Sequence, residues 1–141
     1  PIAASTDGYL YNHEFGLDDG STTPASAISS YIESSQMNIG EGEHFVFLSR
    51  LIPDLTFTNS TDATATVDMT LKTRNFPGAD YIQSTESSIV QSASAPVQQF
   101  TDQVNIRLRG RSFALKVASN TTGVQWRLGT PRVELIQDGR R

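Results

Sequence analysis

Three arginines at spacing two stand out, Arg107, Arg109 and Arg111, in the run Val104-Asn105-Ile106-Arg107-Leu108-Arg109-Gly110-Arg111. If the alternation holds through Gly110, all three project from one face of one strand. Like charges side by side repel, so something negative is expected to face them. The candidates are acids from the first half of the chain, acids of a neighbouring subunit, or phosphates. Arg127 and Arg132, in the next pair of extended runs, are candidates for the same face. Nine of the eleven basic residues are arginine, whose planar fork suits fixed ion pairs and phosphates better than lysine does.

Other residue types with chemical potential do not assemble into a motif. The two histidines, His13 and His44, lie in extended runs and read as structural. There is no cysteine, which excludes disulfides and thiolate metal sites. No nucleophile elbow, phosphate-binding glycine loop or dinucleotide fingerprint is present. Asp18-Asp19-Gly20 begins like a calcium loop, but the later ligands do not follow, so it reads as a turn. Carboxylate pairs such as Glu41/Glu43 carry no glycosidase signal without a measured separation across a cleft. Neither catalysis nor a cofactor is expected.

The elements that position these residues follow period two. Val104–Arg109 and Val67-Asp68-Met69-Thr70-Leu71-Lys72 alternate apolar and polar side chains, as half-buried strands do. Gly110 interrupts the first run and predicts a bulge or a close approach of backbones; the inward set resumes at Phe113, Leu115 and Val117. Val124-Gln125-Trp126-Arg127-Leu128 alternates again and stops at Gly129-Thr130-Pro131, with Val133-Glu134-Leu135 beyond. His44-Phe45-Val46-Phe47-Leu48 is apolar on both faces and predicts a central strand, ended or kinked at Pro53. Tyr9–Phe15 is strand-like, and residues 84–99 form either a loop or an irregular strand pair. Sustained helical spacing is absent. The expected fold is all-β, an antiparallel β-sandwich or flattened barrel of about 7–9 strands in a single domain spanning 1–141. Trp126, Leu108, Phe113 and Phe47 are its expected core anchors.

The chain's 141 residues, 37% hydrophobic and 18% charged, suffice for one core, and no apolar run is long enough for a membrane helix. The net charge of −4 hides a split. Residues 1–70 carry ten acids and one base, Arg50; residues 71–141 carry ten bases and five acids. Such halves suit pairing within the fold or between subunits.

One resemblance emerges from ordered short motifs. Arg109-Gly110-Arg111, Trp126-Arg127-Leu128-Gly129, Arg132 and the terminal Asp138-Gly139-Arg140-Arg141 resemble the C-terminal region of tail nozzle or tube proteins of short-tailed double-stranded DNA bacteriophages. His13-Glu14-Phe15-Gly16, Tyr31-Ile32-Glu33-Ser34, Gly40-Glu41-Gly42, Phe47–Asp54 and Leu71–Pro77 are similar upstream pieces, so the likeness covers nearly all of 9–141. The resemblance implies a structural virion component, the C-terminal fragment of a larger protein. It implies copies of the chain in a ring around the DNA channel, contacts with other tail proteins, transient contact with genomic DNA, and roles in genome retention and ejection. Assembly would fall to Arg107, Arg109, Arg111, Arg127, Arg132, Arg140 and Arg141. The alternative is a glycan- or receptor-binding sandwich on a phage tail, with Tyr9, Tyr11, Tyr31 and Tyr81 as stacking candidates. Buried tyrosines would favour the structural reading; a clustered exposed row would favour sugar binding.

Overall fold

The structure is a computed structural model that describes residues 1–76, 78 and 91–139. Among them there is no helix, and twelve strands appear in chain order. They are β1 (Ile2–Ala4), β2 (Leu10–Asn12), β3 (Ser30–Glu33), β4 (Met37–Asn38), β5 (Val46–Ile52) and β6 (Leu55–Thr56), followed by β7 (Val67–Arg74), β8 (Ser92–Val97), β9 (Val104–Gly110), β10 (Ser112–Ser119), β11 (Arg127–Leu128) and β12 (Arg132–Gln137).

Two antiparallel sheets face one core. The five-stranded sheet runs β3-β10-β7-β8 with β4 also on β10, and the three-stranded sheet runs β12-β5-β9. β1-β2 and β6-β11 are small separate ribbons. The fold is therefore all-β and sandwich-like, and none of its sheets closes into a barrel. Val46, Leu48 and Leu51 of β5, Ile106 and Leu108 of β9, Val67, Met69 and Leu71 of β7, and Phe113 and Val117 of β10 make up most of the buried core. The alternation in β7 and β9 is the direct cause, because every second side chain enters the space between the layers.

β5 is central in its sheet and ends at Ile52, one residue before Pro53. Pro96, which cannot donate to a ladder, sits in β8, an edge strand. Gly110 marks the point where the chain leaves one sheet for the other: β9 belongs to the three-stranded layer and β10, two residues on, to the five-stranded layer. A Cβ at Gly110 would lie 2.7 Å from the Thr73 Cβ and 3.0 Å from the Arg74 carbonyl oxygen. Only glycine allows the two backbones to meet so closely.

Three expectations change. Phe47 is half-buried and pairs with Arg109 and Ile136, because Val46 and Leu48 fill the core from the opposite face of β5. Residues 124–126 are not strand. The Ser60 hydroxyl replaces the ladder there, donating to the Gln125 carbonyl at 2.9 Å and accepting from the Gln125 N–H at 2.9 Å. The Tyr9–Phe15 run contracts to β2, since Glu14 turns at φ 56°, outside the strand region. Trp126 is half-buried against the core, its indole N–H donating to Ser30 Oγ at 3.1 Å. Of residues 84–99, 92–97 form β8, while 84–90 lie outside the described residues.

Candidate functional site

The sheet-crossing corner positions two of the three ladder arginines on one aromatic ring. Arg107 and Arg109 point outward from β9, where Ile106 and Leu108 point inward. Arg111 lies in the crossing itself, its N–H donating to the Arg74 carbonyl at 2.8 Å. The guanidinium carbons of Arg109 and Arg111 lie 4.1 and 4.8 Å from the centroid of the Phe45 ring. Phe45 is buried and held in register by backbone hydrogen bonds to Asp138 and Gly139. Its ring face offers the negative quadrupole that lets two cations sit close together.

Asp138 completes the corner. Its carboxylate accepts from Arg109 Nε, and its carbonyl accepts from Arg109 Nη2 at 3.2 Å. Asp138, the acid that faces Arg109, belongs to the second half of the chain. Arg107 is exposed and forms no ion pair with a described residue. Arg127 and Arg132 are exposed on β11 and β12, away from the ladder's partners. Arg140, Arg141 and Tyr81 lie outside the described residues. Leu108 and Phe113 are buried.

Beneath the corner is a buried polar node. The Thr73 hydroxyl, fully buried, donates to Gln91 Oε1 at 2.9 Å, and the Thr73 N–H donates to the Gln91 carbonyl at 2.7 Å. Buried polar groups need such partners, and these fix β7 against the start of β8. Among the described residues two ion pairs join the halves: Arg50 Nε lies 3.2 Å from Glu134 Oε2, and Lys72 Nζ lies 2.6 Å from Glu33 Oε1, the second setting a base of the basic half against an acid of the acidic half. The hydrogen bond from Lys72 holds the Glu33 carboxyl below its usual range.

The opposite edge of the sandwich is open. An apolar cleft of about 430 Å³ separates Ile32, Met37, Phe113, Leu115 and Val117 of one sheet from Val133 and Leu135 of the other, with Leu128 and Pro131 at its side. Sequence reasoning missed this cleft. Its walls are ordinary inward-facing residues, and only the topology leaves them uncovered.

Residues 1–29 extend from the sandwich as an arm. The Asp18 carboxylate ties it to the body, accepting from the Gly123 N–H at 2.7 Å. Gly123 sits at φ +71°, and its carbonyl accepts from Thr61 and Asp62 N–H groups, so one glycine links the arm to loop 60–62. A second cleft in the arm is lined by Asp7, Tyr11, Asn12, His13, Glu14 and Phe15, among others. There the Tyr11 hydroxyl donates to Asp7 at 2.7 Å, which lowers the Asp7 pKa and raises that of Tyr11. The Asp19 carboxylate caps a turn through the Ser21 N–H. Tyr9 and Tyr31 are each 68% exposed but on separate elements, and Tyr31 lies under Lys116 at 5.0 Å.

Among the described residues no three of His, Asp and Glu are grouped to hold a metal ion, and no helix is long and apolar enough to cross a membrane. No protein-family model matches the chain, and no curated protein matches it.

Proposed function

We propose that the chain is a structural component of a bacteriophage tail nozzle or tube, assembling in a ring around the DNA channel and helping to retain and release the genome. The observation that carries the reading is the distribution of uncovered apolar side chains. Ile2, Tyr9, Leu10 and Phe15 are exposed on the arm, Tyr31, Ile32 and Met37 beside the open edge, and Ile52 and Ile136 on the outer face of the three-stranded sheet. Grouped exposure of this kind marks surfaces covered by partners. The resemblance in the ordered motifs names the kind of assembly. The arginine corner adds a cationic surface, held in place by Phe45 and Asp138, suited to phosphates passing a channel wall or to a subunit seam.

Antibody raised to the chain tests the reading on intact particles. Label at the tail tip is expected, together with closed rings of the parent protein in electron micrographs. Label on the capsid alone, or on no particle, would overturn it.

A second reading, glycan or receptor binding on a phage tail, has one observation behind it. The arm cleft places the aromatic rings of Tyr11 and Phe15 beside Asn12, Asp7 and Glu14, the combination that stacks and hydrogen-bonds a sugar. Saturation-transfer NMR with host surface glycans distinguishes it. A signal lost in Tyr11→Ala and Phe15→Ala would favour this second reading.

A further inference from the structure

The most exposed large apolar side chain among the described residues is Phe100, with 89% of its surface in water. The turn that carries it is closed. The Thr101 N–H donates to the Gln98 carbonyl at 3.1 Å, and the Gln98 N–H donates to Thr101 Oγ1 at 3.0 Å. An aromatic ring held out by a closed turn adds nothing to the core, so it marks a contact with something else.

Phe100 stands at a cleft of about 280 Å³ between this turn and the loop 60–65, at one end of the sandwich. The buried Phe57 lines the same cleft, beside Asp62, Gln98 and Gln99. The polar wall is preformed. The Ser60 hydroxyl is bonded to Gln125, and the Thr61 and Asp62 N–H groups donate to the Gly123 carbonyl, which pins the loop. The Asp62 carboxylate accepts from the Thr64 N–H at 2.8 Å and from the Thr64 hydroxyl at 3.0 Å, both at Oδ1. Its Oδ2 has no partner among the described residues. Gln98 Nε2 donates to Thr66 Oγ1 at 3.3 Å, which leaves Gln98 Oε1 and the whole Gln99 amide without a partner among them. Walls fixed in advance lower the ordering cost of binding.

Three kinds of group therefore meet in one concave place: an exposed aromatic ring, a carboxylate oxygen, and amides that donate and accept. A pyranose uses that set. Its C–H face is apolar and stacks on a ring, while its edge hydroxyls donate to a carboxylate and exchange hydrogen bonds with amides. Asp62 Oδ2 and Gln98 Oε1 only accept, so the ligand must bring O–H or N–H groups. No lysine, arginine or histidine lines the cleft, and its one charged side chain is negative, which disfavours phosphates and acidic sugars.

We propose that this end cleft binds a neutral saccharide, a pyranose ring stacking on Phe100 while adjacent hydroxyls bond to Asp62 Oδ2 and to the Gln98 and Gln99 amides. The site is separate from the arm cleft, and the inference stands apart from the ring reading.

Saturation-transfer NMR with the methyl glycosides of glucose, galactose, mannose and rhamnose tests it. Adenosine and N-acetylneuraminic acid serve as controls for stacking alone and for charge. Transfer to the ring protons of at least one methyl glycoside is expected, with amide shifts confined to 60–65 and 98–101. Phe100→Ala, at a side chain already in water, should abolish the signal and leave the fold intact. Asp62→Asn, which keeps the Oδ1 acceptor, should raise Kd about tenfold or more. Tyr11→Ala, in the arm cleft, should leave binding unchanged. No transfer to any glycoside, transfer that survives Phe100→Ala, or tighter binding of either control than of every glycoside would overturn the proposal.

Discussion

The Gly110 corner and the β3-β12 edge of the sandwich are built from the same kinds of side chain and finished in opposite ways. At the corner, the chain crosses from β9 to β10, Thr73 and Gln91 satisfy each other in the interior, and arginines cover a buried ring. On the β3-β12 side, Leu115, Val133 and Leu135 pack against the core but stay partly open. The crossing at Gly110 is one residue long and brings the backbones of β9 and β7 together. The connections that cross near the open edge, 39–45 from β4 to β5 and 120–131 from β10 to β12, are longer and leave the layers apart. Apolar composition alone does not bring closure about.

Substitutions should separate the two, and the largest effect belongs in the sealed interior. Leu71→Ala, at a fully buried site on β7, should destabilise by ~2–5 kcal/mol, read from denaturant midpoints at constant m. Gly110→Ala should follow at about 1–3 kcal/mol, since its Cβ would press on backbone as well as on Thr73. An unchanged melting temperature there would break the idea that the crossing is tight.

Thr73→Val should cost about 1–2 kcal/mol by leaving the buried Gln91 amide oxygen without its donor. At the open edge Ile32→Ser should change chain stability by no more than ~0.5 kcal/mol, because Ile32 is already half in water. A loss as large as that of Leu71→Ala would mean the edge is closed in solution.

Similarly small is the pair Lys72–Glu33, which spans β10 to hold β3. Removing it with Glu33→Gln should cost ~0–1 kcal/mol, as for partly exposed pairs generally. The folded-state pKa of Glu33 is lowered by Lys72, so its contribution is present above the ordinary carboxylate range and disappears as pH falls through the lowered value. Melting temperatures of parent and Glu33→Gln chains should therefore converge in acid and differ at neutral pH.

How far the sequence reveals these features depends on the size and phase of the side chains. β7 and β9 are legible because Val67, Met69 and Leu71, and Ile106 and Leu108, alternate with polar partners. β8 is not, since Ser92, Ala93, Ser94 and Ala95 are too small to show a phase. In β5 the tract Phe45–Leu48 is apolar on both faces, which marks a central strand but hides which set is core. The deciding fact is non-local: Arg109 and Arg111 claim Phe45 from outside. Arginines at spacing two opposite a doubly apolar strand were the available signal. Loss of strand at 124–126 depends on one hydroxyl sixty-five residues away in sequence, Ser60, and no local pattern encodes it.

The indole of Trp126 has a consequence of its own. It is the single tryptophan of the chain, half-buried two residues from Leu128 at the side of the cleft, with its N–H on Ser30 at the start of β3. The molecule thus carries a built-in fluorophore beside the gap between its layers. Whatever fills that gap, the emission of one ring reports the arrival, with no dye attached.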